Sequence, residues 1–156
     1  MEGGAIVMRS VVFGGCLLAL ALSGRAAVAG GVLIKPEEAA LPSPPSATAV
    51  SFVTRGITRK PNVILTSPEA SVTSPFELQF KFQAHGGSTI QPNSFHLIYL
   101  KSPNVDLTAR VKPYMTADGV DMAGAEAPPG KHMIKVLISD SENREASAVF
   151  TLNVLK

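Results

Sequence analysis

The fold is decided near the C-terminus, by residues 130–154, "GKHMIKVLISDSENREASAVFTLNV". The first half of this stretch alternates between two sets of side chains. One set is His132, Ile134, Val136 and Ile138, and the other is Met133, Lys135, Leu137 and Ser139. The second half alternates in the same way, with Ala148, Phe150, Leu152 and Val154 on one side. Because successive side chains of a β-strand point to opposite faces, each half predicts a strand with one face toward a core.

The segment "DSENRE" at 140–145 joins these two strands. Aspartate favours the start of a turn because its side chain bonds the backbone that follows, which fits Asp140. Asn143 tolerates the left-handed backbone conformation that a tight turn needs. Lys131 stands at the start of the first strand, and Lys135 lies on its solvent-facing side. The charges therefore predict a β-hairpin rather than a reactive cluster.

The same period of two continues through the preceding residues. The clearest case is Phe76–Ala84, where phenylalanine and leucine alternate with glutamate, glutamine and lysine. Shorter strands are predicted at 62–66, 95–100, 105–111 and 120–122, separated by segments rich in proline, glycine and asparagine. Residues 95–100 are apolar on both faces, which is typical of a central strand. About seven short strands with short connections predict an all-β antiparallel sandwich over residues 61–156.

Two segments resemble a known family at the level of the fold. "APPGKHMIKVLISDSENREASAVFTLNV" resembles the closing hairpin of bacterial immunoglobulin-like and fibronectin type III-like domains. "PNVILTSPEASVTSPFELQFKF" is similar to their first two strands. The resemblance covers about residues 61–156 and implies an immunoglobulin-like β-sandwich without specifying a function. Asn143 stands where the family often has glycine.

The resemblance also gives an interpretation of one histidine. His132 matches the place where many such domains put a corner tyrosine that bonds back to the preceding turn. The resemblance therefore implies a structural role for His132, with a ligand role as the alternative.

Residues 1–29 are typical of a secretory signal. Arg9 precedes the apolar run "SVVFGGCLLALAL", and Ala27 and Ala29 offer a small-residue cleavage site. The run is short for a bilayer span. We expect cleavage after Ala29, an exported protein in the periplasm or outside the cell, and no stable membrane span; an uncleaved anchor is the alternative.

Cys16, the only cysteine, lies inside this signal. A lipid-bearing cysteine closes the apolar run, whereas here Leu17–Leu22 follow Cys16. We therefore expect no lipid anchor. After cleavage the chain has no thiol for a disulfide, a metal or nucleophilic catalysis.

Residues 30–60 are predicted to be a proline- and alanine-rich linker. Pro42, Pro44 and Pro45 fix the backbone and remove hydrogen-bond donors. Arg55 and the pair Arg59–Lys60 form a small basic group near its end. This group predicts a solvated tether; the alternative is a contact site for an acidic partner or a membrane surface.

The composition argues against a nucleic-acid partner. Charged residues make up 17% of the chain and the formal net charge is only +2. A nucleic-acid-binding domain concentrates positive charge on one face to meet the phosphates.

No motif assigns a catalytic, cofactor-binding or metal-ligating residue. His85, His96 and His132 are all more than four residues apart, so they match no local metal-ligand spacing, although they could converge in space. Asp118 and Asp121 lack the regular acidic spacing of a calcium loop. No nucleophile elbow, phosphate-binding loop or dinucleotide fingerprint occurs. The sequence predicts neither an enzyme nor a cofactor.

Three functional hypotheses from different classes follow. The first is an exported, non-catalytic interaction module that contacts a protein or glycan partner through an edge strand or the loops 85–94, 101–105 and 114–127. The sequence does not give its partner or oligomeric state.

The second is a periplasmic metal-binding sandwich like the copper carriers, to which "ILTSPEASVTSPFELQFKF" bears some similarity. In this hypothesis Met115, Met122 and Met133 are the candidate soft ligands. The ligand histidine that starts those mature chains is replaced by Gly30. The third hypothesis is an enzyme whose dispersed site joins His96 or His132 to a carboxylate.

Overall fold

The computed structural model describes residues 30–44 and 59–156. These residues form an all-β sandwich of two sheets, as the alternation predicts. The first sheet has the strand order β1-β3-β6 and the second has the order β2-β8-β7-β4-β5. The strands are β1 Asn62–Ser67, β2 Val72–Thr73, β3 Phe76–Gln83, β4 His96–Tyr99, β5 Val105–Asp106, β6 Gly119–Ala125, β7 Gly130–Ser139 and β8 Glu145–Leu155.

The core lies between the two sheets and is built from alternate residues of each strand. In β3 the buried side chains are Phe76, Leu78, Phe80 and Phe82. In β7 they are His132, Ile134, Val136 and Ile138. The predicted inward faces of both strands are therefore confirmed. Phe80 of the first sheet meets Phe150 of the second, with ring centroids 5.4 Å apart.

The predicted C-terminal hairpin is present. β7 and β8 pair in one uninterrupted antiparallel register, from Gly130 opposite Val154 to Ser139 opposite Glu145. Asn143 in the connecting turn has a φ of 58°, the left-handed conformation expected for it. β4 lies between β7 and β5, so residues 95–100 do contain a central strand.

The strand predicted over 105–111 is wrong beyond Asp106. After β5 the chain forms the short helix α2, Thr108–Val111, and then a 3-10 turn, Lys112–Tyr114. The backbone N–H of Thr108 donates to Oδ1 of Asp106 at 2.8 Å, which starts the helical turn. Leu107 and Val111 are both fully buried. Residues four apart share a face in a helix and also in a strand, so this apolar pattern fits both structures.

The sheets are not purely antiparallel, because the chain changes sheets after β1. β1 pairs with β3 in the first sheet, whereas β2 pairs parallel to β8 in the second, with Val72 opposite Val154. This parallel pair needs no crossover helix, since β2 and β8 lie at opposite ends of the domain sequence.

Residues 30–44, placed by the sequence in the linker, pack against the sandwich and are here called the N-terminal strap. Leu33 and Ile34 are 0% and 1% exposed. Val32 forms a parallel bridge with Glu126, beyond the end of β6. Gly30 lies so close to the backbone of Gly124 that a Cβ there would clash with it. This packing places the strap inside the folded unit, whereas the composition of the segment indicates only an extended chain.

The strap contains the short helix α1, Pro36–Ala39. Two charged side chains of the sandwich hold it in place. Arg110 of α2 donates to both carboxylate oxygens of Glu38, one of them at 2.7 Å, and to the Leu33 carbonyl at 2.8 Å. Nζ of Lys101 donates to the carbonyls of Ala39 and Leu41, each at 2.9 Å. The predicted signal at 1–29, with Cys16, and Arg55 of the predicted tether lie outside the described residues.

Candidate functional site

The outward faces of the two sheets differ in their apolar content, although Ile64 on the first sheet is also 38% exposed. On the first sheet, β3 presents Glu77, Gln79, Lys81 and Gln83 to solvent. Asp121 of β6 lies opposite Gln79 and is also exposed. This face is polar throughout β3, as expected for a solvated sheet surface.

The outward face of the second sheet carries apolar side chains on three neighbouring strands, with polar residues such as Ser147 and Thr151 beside them. Leu137 of β7 lies between His96 and Ser147, and Lys135 lies between Ile98 and Val149. Met133 lies opposite Thr151, and its carbonyl accepts a bond from the backbone N–H of Leu100 at 2.9 Å. Here the term apolar face denotes Ile98, Leu100, Met133, Leu137 and Val149, together with His96 and Lys135.

The exposure of these residues fits a surface rather than a core. Ile98, Met133 and Leu137 are half-buried, and Val149 is 45% exposed. Scattered apolar side chains are normal on a protein surface, but a contiguous set is typical of an interaction site. Alternation within β7 predicts only a solvent-facing side here, whereas the apolar residues at 98, 100 and 149 on neighbouring strands indicate a patch.

Two small clefts flank His96 at the margin of the apolar face. One, of about 270 Å³, is lined by Ser94, His96, Leu137, Ile138, Ser139 and Glu145. The other, of about 150 Å³, lies between the Pro92–Ser94 turn and α2. Both are smaller than the 300–1,000 Å³ typical of pockets that enclose a small-molecule ligand. These clefts are features of an exposed surface and are too small to enclose a substrate.

β8 has a long free edge beside the apolar face. β7 pairs with β8 along one side. On the other side β2 pairs only with Val154 and Leu155. Within the described ranges, no strand pairs with residues 145–153 on that side. Unpaired edge groups are a template for another strand.

His132 is buried and takes part in a structural network. Nε2 lies 2.8 Å from the carbonyl oxygen of Pro128, so the bond back to the preceding turn is present as predicted. Nδ1 lies 2.9 Å from the hydroxyl of Tyr99, which the sequence did not indicate. A neutral ring with the proton on Nε2 satisfies both contacts. Burial lowers the pKa of His132 from its usual 6.5, the bond to the Pro128 carbonyl opposes this shift, and the charge of Lys101 adds to it.

Asp140 fastens the turn of the hairpin to the loop 85–94. Its carboxylate, fully buried, accepts bonds from the backbone N–H groups of Glu142 and Arg144, the Arg144 guanidinium and the Ser88 hydroxyl. Burial raises the pKa of this carboxyl, but the bonds from Arg144, Glu142 and Ser88 together lower it to about 2. The carboxylate therefore serves as a structural anchor.

The three predicted contact loops do not form one surface. Half of the predicted loop 114–127 is strand β6, and the residues just before β6 meet the loop 85–94 around a cleft of about 250 Å³ that Ser88, Thr89 and Asp118 help to line. The loop 101–105 lies against the strap instead, where the Ser102 N–H donates to the Pro42 carbonyl at 2.9 Å.

Histidine and carboxylate side chains do not cluster around a metal site in the described part of the chain. In residues 30–44 and 59–156, no group of three or more histidine, cysteine, aspartate and glutamate side chains is arranged to hold a metal ion. Met122 is fully buried in the core, whereas Met133 lies on the opposite, outer side of the second sheet. Over the same residues, no helix has the length and apolar character needed to cross a bilayer.

Comparisons with known proteins give no relative: no family model, no curated protein and no solved structure matches this chain. The function is therefore inferred from the geometry of the two sheets.

Proposed function

We propose that this protein is an exported, non-catalytic interaction module that binds a protein partner on the apolar face. The observation that carries the proposal is the contrast between the two sheets. β3 presents alternating charged and amide side chains to solvent. β7 presents Met133 and Leu137 on either side of Lys135. Neighbouring apolar side chains on one sheet face are typical of an interaction surface.

The chemistry of the apolar face favours a protein partner over a glycan. Its apolar side chains are aliphatic or thioether groups from Ile98, Leu100, Met133, Leu137 and Val149. Sugar rings stack on aromatic side chains, whereas aliphatic side chains pack against the apolar centre of a protein interface. Lys135, in the middle of the face, favours a partner that brings a carboxylate to an otherwise apolar contact.

Two further features support the proposal. The switch of the chain from β1 in one sheet to β2 in the other, and the order β8-β7-β4-β5, fit an immunoglobulin-like arrangement. Export is inferred from residues 1–29, which lie outside the described residues. Fold alone does not fix function, so the proposal depends on the face.

The proposal is tested by affinity capture from a native envelope or secretome extract. The bait is the protein expressed from its full-length sequence, used at low and at physiological salt. Leu137→Lys places a charge in the apolar face, and Gln79→Lys places the same charge on the polar sheet as a matched control. We expect one stoichiometric partner that survives physiological salt with the wild-type protein and the control, and is lost with Leu137→Lys. Equal capture by all three proteins, or capture that disappears as salt rises, would contradict the proposal.

A further inference from the structure

The free edge of β8 lacks the features that usually prevent strands from pairing between molecules. Natural edges are shortened, bent by bulges, or marked by lysine and proline. Residues 146–155, "ASAVFTLNVL", contain no charge and no proline. The register of β8 with β7 runs without a bulge from Glu145 to Val154. This edge therefore has no bulge and no strand partner over 145–153, and no charge from 146 onward.

The other edges of the two sheets are short or covered. β5, at the far side of the second sheet, has only two residues. At β6, Met115 bridges Val120 near one end and Val32 of the strap bridges Glu126 just beyond the other. β1 is six residues long and lies between Pro61 and Pro68. Among the described strands, β8 thus has the longest edge without a bulge, a proline or, after Glu145, a charge.

We propose that the free edge of β8 pairs with the same edge of a second copy of this chain, antiparallel and about a two-fold axis at Val149. The two five-stranded sheets would then form one ten-stranded sheet. This inference rests on the proposed function, because the joined sheet places two apolar faces side by side for the partner.

The position of the axis follows from the length of the free edge. β2 occupies β8 at Val154 and Leu155, which leaves residues 145–153 with Val149 at their centre. An antiparallel pair about Val149 puts Glu145 of one copy opposite Asn153 of the other. The partner strand then ends where β2 begins. A two-fold axis at any other residue would either leave part of the edge unpaired or make β8 of the second copy collide with β2.

This register is self-complementary on both sides of the strand. On the inward side, Ala148 lies opposite Phe150 and Ala146 opposite Leu152, so each large side chain meets a small one. These inward residues, apart from the buried Leu152, are only half-buried in the single chain. On the outward side, Ser147 lies opposite Thr151, a hydroxyl pair that stabilises neighbouring strands. Val149, 45% exposed, meets its own copy, and no like charges lie opposite each other.

Cysteine cross-linking tests the axis in a Cys16→Ser background of the full chain. In Val149→Cys the two thiols face each other at the axis, where paired Cα atoms are about 4.5–5.5 Å apart. That distance suits a disulfide. In Ser147→Cys, an exposed position on the same face, the two thiols are offset by four residues, about 13 Å. We expect a disulfide-linked dimer from Val149→Cys and none from Ser147→Cys. Equal cross-linking at both positions, or none at 149, would overturn the inference.

Charge exchange tests the pairing without a covalent bond. In sedimentation velocity we expect the wild-type protein to be a dimer, and Val149→Lys and Val149→Glu to be monomers when measured alone. An equimolar mixture of the two variants should restore the dimer, which misfolded proteins would not do. Ile64→Lys, at a position 38% exposed on the other sheet, is the control and should remain dimeric.

The outcomes separate this inference from the proposed function. A wild-type monomer at the highest soluble concentration overturns the dimer, and partner capture that depends on Leu137 then still supports the interaction module. A wild-type dimer that captures no partner would support the dimer and contradict the proposed function. Cross-linking of Val149→Cys to a different protein would show that a foreign strand occupies the edge and would also overturn the inference.

Discussion

The hydroxyl of Tyr99 lies 2.9 Å from Nδ1 of His132, and the opposite nitrogen of the same ring lies 2.8 Å from the Pro128 carbonyl. This contact joins the end of β4 to the start of β7 and to the turn before it. Tyr99 is 0% and His132 3% exposed, so neither polar group has water as an alternative partner. The pair is therefore a polar link inside an apolar core.

His132→Phe should destabilise the protein by about 1–3 kcal/mol, because it leaves the Tyr99 hydroxyl and the Pro128 carbonyl without partners. The free energy of unfolding in urea measures this change. Adding Tyr99→Phe to His132→Phe should recover part of the lost free energy of unfolding, because the Tyr99 hydroxyl that has lost its partner is then removed as well. Strictly additive losses would show that the two residues do not interact.

Stability should fall with acid because His132 is held neutral. Burial lowers its pKa from 6.5 in the folded protein, whereas the unfolded chain keeps the ordinary value. Below pH 6.5 the unfolded state therefore takes up the proton first, and the free energy of unfolding decreases until the folded-state pKa is reached.

Urea unfolding at several pH values between about 5 and 8 measures this slope. His132→Gln, which cannot titrate, should remove the part of it that lies just below pH 6.5. A variant that keeps the full slope would assign the pH dependence to other groups.

A second loss of stability is expected at lower pH, because the pKa of Asp140 is lowered from 3.8 to about 2. Stability that depends on its carboxylate is present above pH 3.8 and lost as the pH falls toward 2.

Arg110→Ala should loosen the N-terminal strap. It removes the guanidinium that bonds both Glu38 oxygens and the Leu33 carbonyl, at a cost of about 1–3 kcal/mol. The measurement is the rate of cleavage after Glu37 by a glutamate-specific protease, which should rise in the variant. Lys112→Ala, at an exposed position just after α2, is the control. Equal cleavage rates would show that the strap is held by Leu33 and Ile34 alone.

Phe80→Ala should cost about 3–5 kcal/mol, because Phe80 is 2% exposed and packs against Phe150. Gln79→Ala, the neighbour on the polar side of the same strand, should change stability by less than about 0.5 kcal/mol. Thermal or urea unfolding of both variants gives the comparison. A loss below about 1 kcal/mol at Phe80 would contradict the assignment of the inward face.

Much of the sandwich was predictable because period-two alternation is a local signal. The inward residues of β3 and β7 and the left-handed Asn143 follow from their own neighbours in sequence. The helix α2 was missed since Leu107 and Val111 fit either period. The strap was missed because its anchors are distant: Leu33 and Ile34 bury against residues far along the chain, and Glu38 pairs with Arg110.

The candidate site was harder to predict for the same reason. Met133 and Leu137 are unremarkable on a single strand, and Lys135 between them indicates a solvated side. The apolar face exists only because the register places Ile98 and Val149 on either side of Lys135 and His96 beside Leu137. Those pairings are tertiary information, which alternation within one strand does not contain.

The most direct test of the central claim is photo-crosslinking in the native host from one side chain on each sheet. A photoreactive phenylalanine analogue replaces Leu137 on the apolar face or Gln79 on the polar sheet, and mass spectrometry identifies the adducts. The proposed function predicts one discrete adduct with a second protein from position 137 and none from position 79. An adduct from position 79 alone, or no adduct from position 137, would contradict the claim that the five-stranded sheet carries the binding surface.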